Sequence, residues 1–323
     1  MVEHYNYKDF WEKVRGGVIG HAVGDALGVP VEFVARKELA QQPVDSMEGY
    51  GTHNMPPGTW SDDTSMSICL LQSLIDCQRF DYDDIMLNFL KWRLDGEFTA
   101  TGKTFDVGGT CSVALMDYQR GKLPMECGGS SVTSNGNGSL MRVLPVALVC
   151  YREGVDDPAK RLEITKNVSS LTHAHDISVM GCYIYVNIAC SLLEGLTPRQ
   201  AYERVKQVDY SMFSQEAQES YWRVLKAGDI GACTKNVIRS SGYVVHSLEA
   251  ALWCLLNGEN YRDTVLKAVN LGGDTDTIGA ITGSLAGIYY GFEDIPAQWV
   301  GELRRSKNLL RLCDAFSETK IKV

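Results

Sequence analysis

Gly272-Gly273-Asp274-Thr275-Asp276-Thr277-Ile278-Gly279-Ala280-Ile281 opens a run that continues to Tyr290 with no proline and no further charge. Two aspartates at the start of so apolar a stretch mark a helix N-terminus followed by a helix made for burial. Gly279, Gly283 and Gly287 recur every fourth residue along it, and Gly16, Gly20 and Gly24 do so along a second pattern, Phe10–Ala26. Each glycine costs a helix roughly 0.5 to 1 kcal/mol relative to Ala, so close approach of a neighbouring helix or a ligand has to offset it.

Outward from these stripes, helical periodicity covers Ser65–Gln78, Tyr82–Leu94, Thr110–Arg120, Leu140–Cys150, Ala159–Leu171, Ile177–Glu194, Pro198–Lys206, Ser247–Leu256 and Tyr261–Val269. Strand-like alternation is confined to pieces such as Tyr243–Val245. The pattern predicts an all-α, compact multi-helix domain spanning residues 1–323. No repeat, low-complexity tract or Pro/Ser-rich linker divides the chain.

The 323 residues are 45% hydrophobic and 22% charged, with a formal net charge of −9 and no Lys/Arg stripe, which argues against a nucleic-acid surface. Met1–Phe10 lacks the basic and apolar regions of a signal peptide, and no apolar run reads as reaching membrane-spanning length. A cytoplasmic location is expected. Ten cysteines are scattered with no CxxC pair, which predicts reduced thiols in the core.

A second acidic segment, Trp60-Ser61-Asp62-Asp63-Thr64, also leads into an apolar helix, with Ser61 at the N-cap. Taken singly, each segment reads as ordinary helix capping. Taken together, Asp62, Asp63, Asp274 and Asp276 carry more charge than capping needs, and if the fold brings them together their repulsion calls for a cation. With hydroxyls from Ser61 and Thr277 the donor set is all oxygen, which suits Mg²⁺, Mn²⁺ or Ca²⁺ over zinc. Neither segment continues as an EF-hand loop. Three further motifs are ambiguous alone. Ser134-Asn135-Gly136-Asn137-Gly138-Ser139-Leu140-Met141-Arg142 is a phosphate-binding loop or a plain turn. Asp106 in Gly102–Gly109 is a helix cap or a general base. Thr172-His173-Ala174-His175-Asp176 adds two histidines to a loop.

Gly24-Asp25-Ala26-Leu27-Gly28 with Glu32, the Ser-Asp-Asp-Thr segment, Phe105-Asp106-Val107-Gly108, Asn137–Arg142, Thr172-His173 and Gly-Gly-Asp-Thr-Asp-Thr together, and in this order, resemble the ADP-ribosylglycohydrolase family over roughly residues 13–300. The branch most resembled is the bacterial dinitrogenase reductase-activating glycohydrolase, through Phe-Asp-Val-Gly. The resemblance implies an all-α fold with two Mg²⁺ or Mn²⁺ ions in a cleft. Ser61, Asp62, Asp63, Asp274, Asp276 and Thr277 would be metal ligands, and Glu32 would face the metals from a loop able to open and close. Asn137, Gly138, Ser139, Leu140 and Met141 would hold the diphosphate, and His175 would lie near the ribose or its phosphate. Family members commonly carry Thr where this chain has Ser61.

The implied activity is release of ADP-ribose from modified protein side chains, with Asp106 as proton shuttle and Glu32 as its competitor for water activation. Asp106 favours N-linked arginine over O-linked serine, because a carboxylate matches a guanidinium leaving group. The expected partners are ADP-ribosylated proteins and ADP-ribose, in reversal of a regulatory modification or immunity to an ADP-ribosyltransferase toxin. A non-catalytic ADP-ribose-binding protein and a two-metal phosphoesterase are the rival readings.

Overall fold

The two glycine stripes are each other's partners. The helices Tyr7–Gly28 and Thr275–Tyr290 run antiparallel, with Gly16 against Gly287, Gly20 against Gly283 and Gly24 against Gly279. A Cβ at Gly24 would stand 2.0 Å from the Gly279 carbonyl oxygen, and one at Gly20 would stand 2.4 Å from that of Gly283. The backbones therefore touch, and Tyr261 spans the seam by donating its hydroxyl to the Gly20 carbonyl (2.7 Å). At the end of the seam Thr275 Oγ1 donates to the Gly28 carbonyl (2.8 Å), which sets Gly28 directly against Asp276.

This computed structural model describes residues 7–323. Residues 1–6, part of the segment read for signal-peptide features, lie outside the described residues. Around the glycine seam pack Asp62–Cys77, Leu144–Arg152, Asp176–Leu193, Val244–Asn257 and Tyr261–Val269, sharing one continuous hydrophobic core. No strand is present among the described residues. All ten cysteines are free and none is fully exposed, as their apolar neighbourhoods suggest.

Several expectations need correction. Leu140–Cys150 is not one helix but a 3₁₀ turn, Leu140–Arg142, followed by Leu144–Arg152, because Pro145 has no amide to donate and belongs in a first turn. Tyr243–Val245 is not a strand. Tyr243 makes an isolated bridge to Gly136 and Val244 already begins a helix. Asp176–Leu193 is long and apolar enough to cross a membrane, contrary to the sequence reading; here 94% of it is buried as a core helix. Ser306–Glu318, unassigned from sequence, is an amphipathic helix that sets Leu309, Cys313 and Phe316 into the core, while Asp314 accepts hydrogen bonds from Trp11 and Arg15.

Gly24→Ala should destabilise the protein by about 1–3 kcal/mol in denaturant unfolding, since overpacking against a backbone oxygen outweighs the gain in helix propensity. Gly301 sits in a helix with nothing within 4 Å of the point a Cβ would occupy. Gly301→Ala should therefore be neutral or slightly stabilising, and equal losses at both positions would contradict the seam.

Candidate active site

The seam delivers the end of the first helix to the start of the last, and Asp25 passes that order on. Its buried carboxylate accepts the Ser61 amide (2.9 Å), the Thr64 amide (3.0 Å) and the Thr64 hydroxyl (2.6 Å). The Asp62–Cys77 helix is thus capped from outside by Asp25, with Ser61 Oγ accepting the Asp63 amide. Asp62 and Asp63 are left free of that task. At the other helix start Asp274 makes no side-chain cap bond. Asp276 Oδ1 accepts the first-turn Thr277 amide (2.8 Å), so capping uses one oxygen there and does not account for the rest of the paired acids.

The two acidic segments meet directly. Thr277 Oγ1 donates to Asp63 Oδ2 (3.2 Å), which also accepts from Ser61 Oγ (3.0 Å). Asp63 Oδ1 and Asp276 Oδ2 are buried with no hydrogen-bond partner found among the described residues. Oxygens of Glu32, Asp274 and Asp276 lie within 4.8 Å of one another. Burial, then mutual repulsion, pushes the carboxyls of Asp62, Asp63 and Asp276 well above the usual range, and Asp274 is raised mainly by burial. The closely packed oxygens of Glu32, Asp274 and Asp276, with Asp276 Oδ2 unpartnered, fit a hard cation that would relieve their repulsion, while the expected ligands Asp62 and Asp63 stand outside that close group.

The cleft over this cluster is lined by Glu32, Asp62, Asp106, Gly138, Met141 and His173 among others, with Asn137, Asp274 and Thr277. Asn137 donates its side-chain amide to Asp274 Oδ2 (2.7 Å) and Ser247 Oγ (2.9 Å), so the expected phosphate loop is tied to the acidic cluster. Asp106 does not cap a helix. The following helix, Gly109–Gln119, has Gly108 at its N-cap, and Asp106 is held at φ +51° with its carboxylate near Glu32 and His53. A non-glycine residue in the left-handed region is strained, and such strain collects at working sites.

Glu32 belongs to both groups, facing Asp274 and Asp276 on one side and His53 and Asp106 on the other. It is 3% exposed and pairs with His53 Nε2; burial moves its pKa up to about 7 against the opposing pull of His53. Its flanks are tied inward: Phe33 N donates to Gly273 O (2.6 Å), Gly273 N to Val34 O (2.9 Å) and Thr52 Oγ1 to Glu32 O (2.7 Å).

Not every expected residue reaches the cleft. Ser139 is turned into the core against Ser169 and Cys182, and Leu140 is a core side chain. His175 caps the Asp176–Leu193 helix, its Nδ1 bonded to the Ile177 amide and paired with Asn135 Nδ2. His173, two residues earlier, is the histidine that lines the cleft. Sequence reasoning gave no role to Asp25, although it stood within the Gly24–Gly28 motif, and did not single out His53. Asp25 carried a signal, an acid amid Gly and Ala at the end of an apolar helix; His53, in an irregular loop, carried none.

The chain belongs to the ADP-ribosylglycohydrolase family, whose model matches residues 6–322. It is accordingly an enzyme of the glycohydrolase class. It is 32% identical to an ADP-ribosylarginine hydrolase, Tri1, of Serratia proteamaculans, over 94% of this chain and 78% of that one. It is 29% identical to the ADP-ribosyl-[dinitrogen reductase] glycohydrolase of Rhodospirillum rubrum, over 94% of this chain and 95% of that protein. A solved ADP-ribosylglycohydrolase-related protein complex aligns at TM-score 0.81 and 29% identity, covering 97% of this chain and 100% of that one.

Burial raises Asp25 from 3.8 and Glu32 from 4.5, each to about 7. Raised carboxyls favour the folded state while protonated, so their contribution is complete below the unfolded values and is lost as pH rises through about 7. Buried His21 and His173, lowered from 6.5 to about 4 and about 3, act the other way below about pH 6.5, so chelator-treated protein should melt at progressively lower temperature from about pH 6.5 to about pH 8, and Mg²⁺ or Mn²⁺ should raise the melting temperature more at the higher pH. A metal-induced shift that is larger at the lower pH would contradict the clustered-carboxylate account.

Proposed function

We propose that this protein hydrolyses the N-glycosidic bond of ADP-ribosyl-arginine on proteins, with two Mg²⁺ or Mn²⁺ ions held by Ser61, Asp62, Asp63, Asp274, Asp276 and Thr277. The observation that carries the reading is the junction of the two acidic helix starts, with unpartnered oxygens on Asp63 and Asp276, beneath a cleft that also holds Asp106. The names of the similar arginine and dinitrogen-reductase enzymes support the linkage and the substrate class. When bound, the ions would supply Lewis-acid polarisation of ribose hydroxyls or water and lower the water's pKa.

The chain's own groups would do the rest. Asp106, half-buried and strained at the cleft wall, sits where a carboxylate can hold a guanidinium and pass a proton to the departing nitrogen. Glu32, oriented by His53, is the second candidate to take a proton from water. Gly138 and Met141 border the space for the diphosphate, and Asn137 fixes that border to Asp274. The setting we propose is cytoplasmic reversal of a regulatory or toxin-catalysed modification.

ADP-ribosylated arginine, ADP-ribosyl-serine and phosphoester substrates, each with and without chelator, separate the possibilities. Turnover should be confined to the arginine substrate and abolished by chelator. Asp106→Asn should lower kcat by roughly 100-fold or more while the Kd for ADP-ribose changes by no more than about 3-fold. Chelator-resistant release, preference for the serine linkage, or binding without turnover on any substrate would each overturn a named part of the proposal.

A further inference from the structure

Arg142 is 0% exposed, and among the described residues its titratable neighbours are Cys111, Cys182 and Cys69, with no carboxylate paired to it. Its guanidinium lies over the Phe89 ring (4.9 Å), Nη1 donates to the Val168 carbonyl (3.1 Å) and Nη2 donates to Thr172 Oγ1 (2.7 Å). Thr172 Oγ1 is in turn 2.8 Å from His173 Nδ1. A guanidinium has donors only, so the Thr172 oxygen must accept from it. That leaves the Thr172 proton for His173 Nδ1, a good acceptor when bare. The opposite arrangement, with Nδ1–H also donating to the same hydroxyl, would send the Thr172 proton towards the weakly accepting Cys111 thiol.

Burial and the neighbouring Arg142 charge also hold His173 neutral, lowering its pKa to about 3. With Nδ1 bare and the ring neutral, the proton resides on Nε2. The His173 backbone is fixed, its N donating to Ser169 O (2.8 Å) and its O accepting from Ser169 Oγ (2.8 Å), and the ring is held through Nδ1 by Thr172. Nε2 faces the glycine loop of the cleft. A Cβ at Gly136 would lie 3.6 Å from Nε2, and one at Gly138 would meet Cε1 at 2.9 Å and Nε2 at 3.5 Å, so side chains there would cover the ring edge.

We infer that Arg142 and Thr172 are positioning residues that fix the proton on His173 Nε2, making it a preset donor to an anionic oxygen of the diphosphate in bound ADP-ribose. The ligand half of this rests on the function proposed above; the tautomer does not. A preset donor is an advantage in a cleft so rich in carboxylates, where an imidazole free to switch tautomer could as readily present a lone pair, repelling a phosphate oxygen.

The test is ¹⁵N NMR of the histidine side chains in the full-length protein at neutral pH, without ligand, beside calorimetric titration with ADP-ribose. Wild type should show His173 as a single neutral tautomer protonated on Nε2. Thr172→Val should lose that fixed tautomer and weaken ADP-ribose by roughly ten-fold, and Thr172→Ser should restore both. An Nδ1–H tautomer or an imidazolium in wild type would overturn the relay even if Thr172→Val fails to fold. So would a Thr172→Val spectrum identical to wild type. A changed tautomer with unchanged affinity would overturn the donor role, and a wild-type protein that does not bind ADP-ribose would overturn the ligand half together with the proposed function, leaving the tautomer to the spectrum.

Discussion

Backbone contact between two glycine-striped helices is the constraint on which the rest of the structure depends. With side chains at Gly16, Gly20 and Gly24 or at their partners Gly287, Gly283 and Gly279, the helices would stand apart. The turn around Gly28 could then not rest on Asp276, and Glu32, four residues further on, would move away from Asp274 and Asp276. The propensity lost at six helical glycines is small beside what this approach achieves, because it fixes the spacing of charges that would otherwise separate.

Those charges explain much of the site's construction. Asp25 takes over the capping of the Asp62–Cys77 helix, which frees Asp62 and Asp63. Thr277 and Ser61 satisfy one oxygen of Asp63 and leave the other orphaned. Asn137 extends the network from Asp274 to the glycine loop, so the acidic floor and the wall that would border a diphosphate are set by the same hydrogen bonds. Buried Arg142 stands behind the loop histidine through Thr172, and Asp106 gathers with the Glu32–His53 pair.

What was legible in the sequence was local. The helix that begins at Asp274, the glycine spacing and the surplus of acid at two helix starts are properties of short windows, and they survive intact. Pairing was not legible: nothing in either stripe says that Gly24 meets Gly279 and not some third helix. Direction was lost too. His173 and His175 are equivalent in sequence, but one precedes the helix and turns into the cleft while the other is consumed as its cap. Ser139 and Leu140 share a motif with Gly138 and Met141 yet point to the opposite side of the same turn. The resemblance to the family located the motif; only the chain's path separates the residues that line the cleft from those that support it.

The most direct test of the central claim is Mn²⁺ affinity, by titration calorimetry, in wild type and in Gly28→Ala. The new methyl would lie 2.4 Å from the Asp276 Cα, so it disturbs the junction without altering a proposed ligand. The account predicts that Gly28→Ala keeps its helical circular dichroism and binds Mn²⁺ at least about ten-fold more weakly than wild type. Equal affinity in the two proteins, or no Mn²⁺ binding by wild type, would contradict it.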